Sequence, residues 1–396
     1  MSDIKIIDLF SGCGGFSLGA HLAGFKSILA VDIDKTLSSS YSLNFPNSKL
    51  FHANLASVRT ETLLKQIDNQ KVFGLIGGPP CQGFSMMGKR DANDPRNELI
   101  RHYFRHVMNI QPAFFVMENV PGLLSGAMRK KLETQLKTVS EDYTIIGPVT
   151  LSASQLGAPT SRERVVVIGY DSRQFHSFSD ADILKLAAEK NPTVEDAIND
   201  LPLPVDCDED NYGWAKIDGR RKVSAYAAEA RLPPPADCGW KMALDKLNKG
   251  FISGFMNTVH SSEIQKRYNK IKQGQRDEIS KAVKLKWDGQ CPTLRAGTGS
   301  DKGSYQAVRP LHPEQGRVIT VREAARLQGF PDWFTFHSTK WHSFRMIGNS
   351  VSPYLSKGVL QFIKKKIKEN AKNISSPRAE VISSSPKKRK ANNLCA

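Results

Sequence analysis

The sequence predicts an α/β domain of the doubly wound kind, followed by a second, irregular domain. Three observations carry this. Short apolar runs alternate with stretches of helical spacing. The first run ends in a glycine-rich turn. After about Asp171 the periodicity fades, and proline and charge rise.

The first run, IKIIDLF (Ile4 to Phe10), is continuous and apolar, as a strand buried on both faces should be. SLGAHLAGF follows with helical spacing. SILAVDID (Ser27 to Asp34) reads as a second strand ending in acids, and KVFGLIGG (71–78), PAFFVMENV (Pro112 to Val120) and RVVVIGY (Arg164 to Tyr170) as further buried strands. Between Asn211 and Arg309 there are 19 Lys or Arg against 9 Asp or Glu, with Trp214, Tyr226, Trp240, Trp287 and other aromatics interleaved. That is the texture of an irregular domain with a basic face. Order returns at ITVREAARLQGF, where Thr320 and Glu323 make a capping box. SVSPYLSKGVLQFIKKKIKEN reads as a basic amphipathic helix. The expected boundaries are 1–170, 171–310, a segment 311–370 packing back on the first domain, and a disordered basic tail 371–396.

The 396 residues carry a formal net charge of +17, which points to a polyanionic partner. The six cysteines (13, 81, 207, 238, 291, 395) show no C-x-x-C pair and no nearby histidine cluster. A zinc site or disulfide framework is not expected, and no metal is assigned. No apolar run approaches the roughly 20 residues of a membrane span. The N-terminus lacks the layout of a signal peptide, so a cytosolic protein is the default.

Four constellations carry chemistry. Gly12, Gly14 and Gly15 sit at a strand-to-helix turn, where backbone can approach a ligand and helix N–H groups are exposed. Asp32, one strand later, can accept hydrogen bonds from ribose hydroxyls. Together they suggest a nucleoside cofactor. The F-x-G-x-G spacing departs from the dinucleotide fingerprint and argues against NAD. In LIGGPPCQGFS, Pro80 pushes Pro79 toward extended backbone and helps to aim Cys81. A helix starting near Gln82 would favour the Cys81 thiolate, which points to a nucleophile. Glu118 ends an apolar strand at the edge where α/β folds bind ligands, and a carboxyl group there can hold and donate a proton. Arg162 and Arg164 enter a buried strand on one side of it and call for an anion or planar acceptor. Plainer readings stand beside these: a turn that only packs, a buried thiol, a solvated acid.

The ordered motifs DLFSGCGG, GGPPCQGFS, MENVPG, SRERVVVIG, REAARLQGFP and GNSVSP resemble those of S-adenosylmethionine-dependent DNA (cytosine-5) methyltransferases of the bacterial restriction–modification type. The resemblance covers Ile4 to about Tyr170 and Pro292 to about Ile367. It implies a Rossmann-like class I methyltransferase mixed sheet with helices on both faces, plus a smaller irregular target-recognition domain. Cys81 would attack C6 of cytosine, Glu118 would meet N3 and N4, and Arg164, with Arg162, would hold the ring. Phe10, Gly12, Gly14, Asp32, Ile33, Asn54, Pro80, Asn349, Ser350 and Val351 would form the S-adenosyl-L-methionine site. Gln82, Ser85 and Thr293 would contact the flipped nucleotide. The implied partner is double-stranded DNA, and a monomer is expected. Three positions depart from the pattern: Thr160 replaces a Gln before the arginines, Ser352 a Pro, and Asn54 an Asp.

An RNA (tRNA) cytosine methyltransferase of the same fold is the nearest alternative; its Cys-Phe-Thr element is absent from this chain. A non-catalytic DNA-binding protein on the same scaffold is a third reading, which intact Cys81, Glu118 and Arg164 oppose. The tail sequence SSSPKKRKANN reads as a nuclear address or as nonspecific DNA attraction.

Overall fold

The computed structural model describes residues 4–80, 98–206, 210–296 and 309–375. Seven strands form one sheet: β1 (Ile4–Leu9), β2 (Phe25–Asp32), β3 (Lys49–His52), β4 (Gly74–Gly77), β5 (Phe114–Asn119), β6 (Thr144–Ser152) and β7 (Glu163–Tyr170). Their spatial order is β3-β2-β1-β4-β5-β7-β6. The first five are parallel; β7 runs antiparallel to both β5 and β6. From β1 the chain winds outward to β2 and β3, then restarts on the other side with β4. The order therefore reverses between β1 and β4, and a crevice opens at their carboxyl ends.

Five of the strands are legible as apolar runs, with ends that differ by at most three residues. β3 and β6 are not. Both are edge strands, bonded to one neighbour each, and their burial is partial or alternating rather than continuous.

Alternation along the central strands sends neighbouring residues to opposite faces. Ile6, Phe114, Val116, Val166 and Ile168 share one apolar cluster with Leu355, Val359, Leu360 and Ile363 of the last helix, Pro353–Ser375. Ile7, Phe115, Met117, Val165 and Val167 share another with Tyr103, Phe104 and Val107 of the helix Leu99–Ile110 and Leu132 of the helix Gly126–Val139. Helices thus cover both faces, and one of them comes from the far end of the chain. That helix also packs on the first helix, Gly15–Leu22. It runs to Ser375, so positions 371–375, expected to begin the tail, are helical; the rest of the tail lies outside the described residues.

The middle of the chain is short helices and turns with one two-residue ladder, β8 (Ala215–Lys216) on β9 (Phe251–Ile252). Its apolar residues join a third cluster with Cys13, Leu18 and Tyr41 and with Ala324, Leu327, Trp333 and Ile347. A buried ionic knot reinforces that contact. Arg326, fully buried, bonds Asp332 at 2.6 and 2.7 Å and Asp200 at 3.2 and 3.3 Å, and Arg231 also pairs with Asp200. The Thr320–Glu323 capping box is present. Among the described residues, no helix is long and apolar enough to cross a membrane, and no group of His, Cys, Asp or Glu is arranged to hold a metal.

Candidate active site

The site lies at the carboxyl ends of β1, β4 and β5. After β1 the chain turns through Phe10 (φ 61°), Gly12 (φ 51°) and Gly14 (φ 97°), all in the left-handed region. Gly14 caps the first helix in a conformation that favours glycine. Phe10 holds its conformation against its own side chain, a strain of the kind that collects at ligand sites. A β-carbon on Gly12 would meet nothing within 4 Å, so the turn is open there. Asp32 braces the turn from β2: Oδ2 accepts from Gly12 N and Oδ1 from Asp34 N, both at 2.8 Å. Burial raises its pKa. The next residue, Ile33, is 65% exposed although large and apolar.

Beneath the turn, Ser17 Oγ donates to Asp8 Oδ2 at 2.6 Å and bonds the Tyr41 hydroxyl at 2.8 Å. Burial pushes the Asp8 pKa up to about 7.

β4 leads to Gly78, Pro79 and Pro80. Asn119 Nδ2 donates to Pro79 O at 2.8 Å, which ties the end of β5 to the end of β4. A β-carbon on Gly78 would lie 3.3 Å from Glu118 Oε2 and 4.0 Å from Val351 Cγ2. The turn before position 81 thus passes between the acid and the C-terminal segment. Cys81, Gln82 and Ser85 lie outside the described residues, as does the helix start expected near Gln82.

Glu118 and Arg164 are both buried, and Arg164 Nε stands 2.8 Å from Glu118 Oε1. Burial lowers the Arg164 pKa, and the Glu118 charge opposes that. Arg162 is buried too, and exposed Glu163 between them confirms the alternation. Its bonds differ: Nη1 donates to Leu294 O at 3.3 Å and Nη2 to Ser350 O at 2.9 Å.

Three further segments complete the surroundings. Asn54 Oδ1 accepts from Ala56 N at 2.9 Å, closing an Asx turn, so its oxygen is already engaged. Asn349 is exposed at the end of the helix Lys340–Asn349, and Ser350 and Val351 are buried against the glycine turn. A β-carbon on Gly15 would lie 1.9 Å from Ser350 Oγ and 2.4 Å from Val351 O. Thr293 is half-buried in a stretch joined to the start of β7, where Thr160 Oγ1 donates to Cys291 O at 3.0 Å.

The model for C-5 cytosine-specific DNA methylase matches residues 4–369. The chain belongs to this family. The methylase is 39% identical over 372 residues to the type II methyltransferase M.XorII of Xanthomonas oryzae pv. oryzae, covering 89% of this chain and 82% of that one. It is 32% identical to the type II methyltransferase M.DdeI of Desulfomicrobium norvegicum, covering 91% and 88%. A crystal structure of a DNA modification methyltransferase encoded within a prophage (E. coli) superposes with TM-score 0.82 at 38% identity, covering 92% of the methylase and all of that chain. The S. pombe Dnmt2 methyltransferase superposes with TM-score 0.57 at 19% identity, a likeness of fold alone. The family match decides between the DNA and RNA readings. The methylase is a DNA (cytosine-5) methyltransferase of mixed-sheet, Rossmann-like fold.

Sequence reasoning missed several residues that build this site. Asn119 follows Glu118 directly; an amide at a strand end beside a Pro-Pro turn was a usable signal. Gln328, whose Nε2 donates to Ser350 O at 3.1 Å, sits in the quoted REAARLQGFP motif without an assigned part.

Proposed function

We propose that this methyltransferase takes its methyl group from S-adenosyl-L-methionine and acts on a cytosine swung out of duplex DNA, through a covalent bond between Cys81 and C6. The open, left-handed turn at Gly12 and Gly14, the braced carboxylate of Asp32 and the exposed Ile33 fit a nucleoside cofactor: close backbone, an acceptor for hydroxyls and an apolar surface for a base. Phe10, Asn54, Pro80, Asn349, Ser350 and Val351 would complete it. Bound there, the cofactor supplies an electrophilic methyl group on a sulfonium.

C5 of cytosine is a weak nucleophile. Addition of the Cys81 thiolate at C6 makes C5 enamine-like, and Glu118 eases the addition by hydrogen bonding at N3 and N4. Arg164, paired with Glu118, would approach O2. After transfer, a base removes the C5 proton, the thiolate leaves and the ring is restored. The target atom is inside the stack of a duplex, so the nucleotide must leave it. Residues 171–310, rich in Lys and Arg from 211 onward, would supply phosphate and groove contacts as a target-recognition domain. Thr293, Gln82 and Ser85 would face the displaced nucleotide.

The observation that carries this reading is the buried Glu118–Arg164 pair beside Gly78, three residues before Cys81. Its test is a duplex containing 5-fluorocytosine, from which C5 cannot lose a proton. The adduct should map to Cys81, and Cys81→Ala should bind DNA without methylating it. An adduct on another side chain, or turnover by Cys81→Ala, overturns the mechanism. The type II bacterial relatives support a protective part in restriction–modification. Nothing supports a nuclear address in the tail.

A further inference from the structure

Arg162 stands where three segments of the site meet. It is 2% exposed, its two terminal nitrogens go to Leu294 O and Ser350 O, and its Nε has no hydrogen-bond partner. Leu294 follows Thr293. That stretch is held from two sides: Thr160 Oγ1 and Ser161 N donate to Cys291 O, both at 3.0 Å, and a β-carbon on Gly348 would lie 2.5 Å from Ala296 N. Ser350 O accepts from Gln328 Nε2 as well as from Arg162. Ser350 in turn rests on Gly15 of the glycine turn.

We propose that Arg162 is a positioning residue: it links the Thr293 stretch to the glycine turn through Ser350 and does not touch the cytosine. Its planar fork reaches two carbonyls on separate segments from two separated nitrogens, a span that the single nitrogen of an ammonium does not match. Both terminal nitrogens are directed at backbone carbonyls, and the unpartnered Nε is buried. The link makes the DNA side and the cofactor side of the enzyme feel each other's occupancy. It rests on the reading of Gly12 to Gly15 and Ser350 as the cofactor site.

The first test uses the wild-type chain and S-adenosylhomocysteine. Binding, followed by calorimetry, should slow amide exchange at Leu294, Arg295 and Ala296 by about fivefold or more, the lower end of ordinary coupling. Binding with unchanged exchange overturns the link alone. Absence of binding overturns the cofactor reading and the link with it.

The second test separates the two arms. Arg162→Lys should raise both the KM for unmethylated plasmid DNA and the Kd for S-adenosylhomocysteine about fivefold or more, with kcat falling less than about tenfold. Thr160→Val should move the DNA KM alone, and Gln328→Met the cofactor Kd alone. A hundredfold loss of kcat in Arg162→Lys at unchanged KM and Kd overturns the proposal, because that is the signature of a group on the reacting base. If Arg162→Lys does not fold, the exchange measurement decides.

Discussion

Arg164 reaches across from β7 to Glu118 on β5, Nε to Oε1 at 2.8 Å, with each side chain about nine-tenths buried. The antiparallel register makes this possible: Glu118 stands opposite Val166, and Arg164 lies two residues before it on the same face. Each charge is held in place by the other. Glu118→Gln leaves a buried guanidinium without its counter-charge, and Arg164→Gln leaves a buried carboxylate. Each should lower stability by about 3 kcal/mol, and the double variant by clearly less than the sum. Methyl transfer in Glu118→Gln should fall at least about a hundredfold, the usual weight of a proton-handling group. Urea unfolding and single-turnover assays check both; strict additivity of the two losses would show that the residues act apart.

Gly12 and Gly15 sit three residues apart and should fail in different ways. At Gly12 an alanine meets no neighbour, but φ of 51° strains it by about 1 kcal/mol and its methyl group enters the open side of the turn. Gly12→Ala should therefore fold nearly as well as the wild type and bind S-adenosylhomocysteine poorly. At Gly15 the added carbon collides with Ser350 Oγ and the Val351 carbonyl, so Ser350 and its segment must move. Gly15→Ala should lose more stability than affinity. Thermal melts with and without the ligand separate the two patterns, and equal loss of stability in both variants would contradict this account.

Arg326 answers two acids at once, Asp332 and Asp200, from a side chain with no exposure. Burial disfavours its charge, and the two carboxylates more than offset that, so its pKa is raised. Arg326→Met should cost about 3–5 kcal/mol, since two buried carboxylates lose their cation. Asp200 lies in the middle region, ahead of its basic stretch, and Asp332 in the C-terminal segment, so this variant should also loosen the contact between those segments. Protease cleavage between 211 and 296 should speed up; a stability loss under about 1 kcal/mol would mean that Arg231 alone suffices for Asp200.

How much of this was readable in advance follows from sequence distance. The glycine turn, the Pro-Pro-Cys strand end and Glu118 announce themselves within a dozen residues each, because local backbone constraints dictate them. The sequence marks Asp32 as a partner for ribose; its brace on Gly12 N depends on the register of β1 on β2. Alternation groups Arg162 with Arg164 on one side of the strand, and both are buried there. Their partners differ because Leu294 and Ser350 lie 132 and 188 positions away, beyond any pattern in a single stretch. The edge strands β3 and β6 escaped for a separate reason: half-buried strands lack a continuous apolar run.

The last expectation concerns pH. His106, on the helix Leu99–Ile110, is buried; Nδ1 bonds Thr60 Oγ1 at 2.8 Å, and Nε2 lies 3.0 Å from Arg105 Nη2 and 3.2 Å from Leu55 O. Arg105 also donates to the carbonyls of Leu55, Ala56 and Val58, so the pair fixes the turn that follows Asn54. Burial lowers the His106 pKa from 6.5 to about 4, and the Arg105 charge pushes the same way. The folded protein therefore holds the neutral ring, while the unfolded chain takes a proton near 6.5. Stability from this group is fully present above pH 6.5 and drains away as pH falls toward 4, by about 3 kcal/mol at most. His312, lowered to about 4 mainly by burial, adds a parallel slope. The difference between wild type and His106→Asn isolates the first. Urea unfolding at pH 7 and pH 4.5 should show the wild type losing more stability than His106→Asn between the two. Equal losses would mean that the ring takes its proton in the fold as readily as in the unfolded chain, and that its burial beside Arg105 does not hold it neutral.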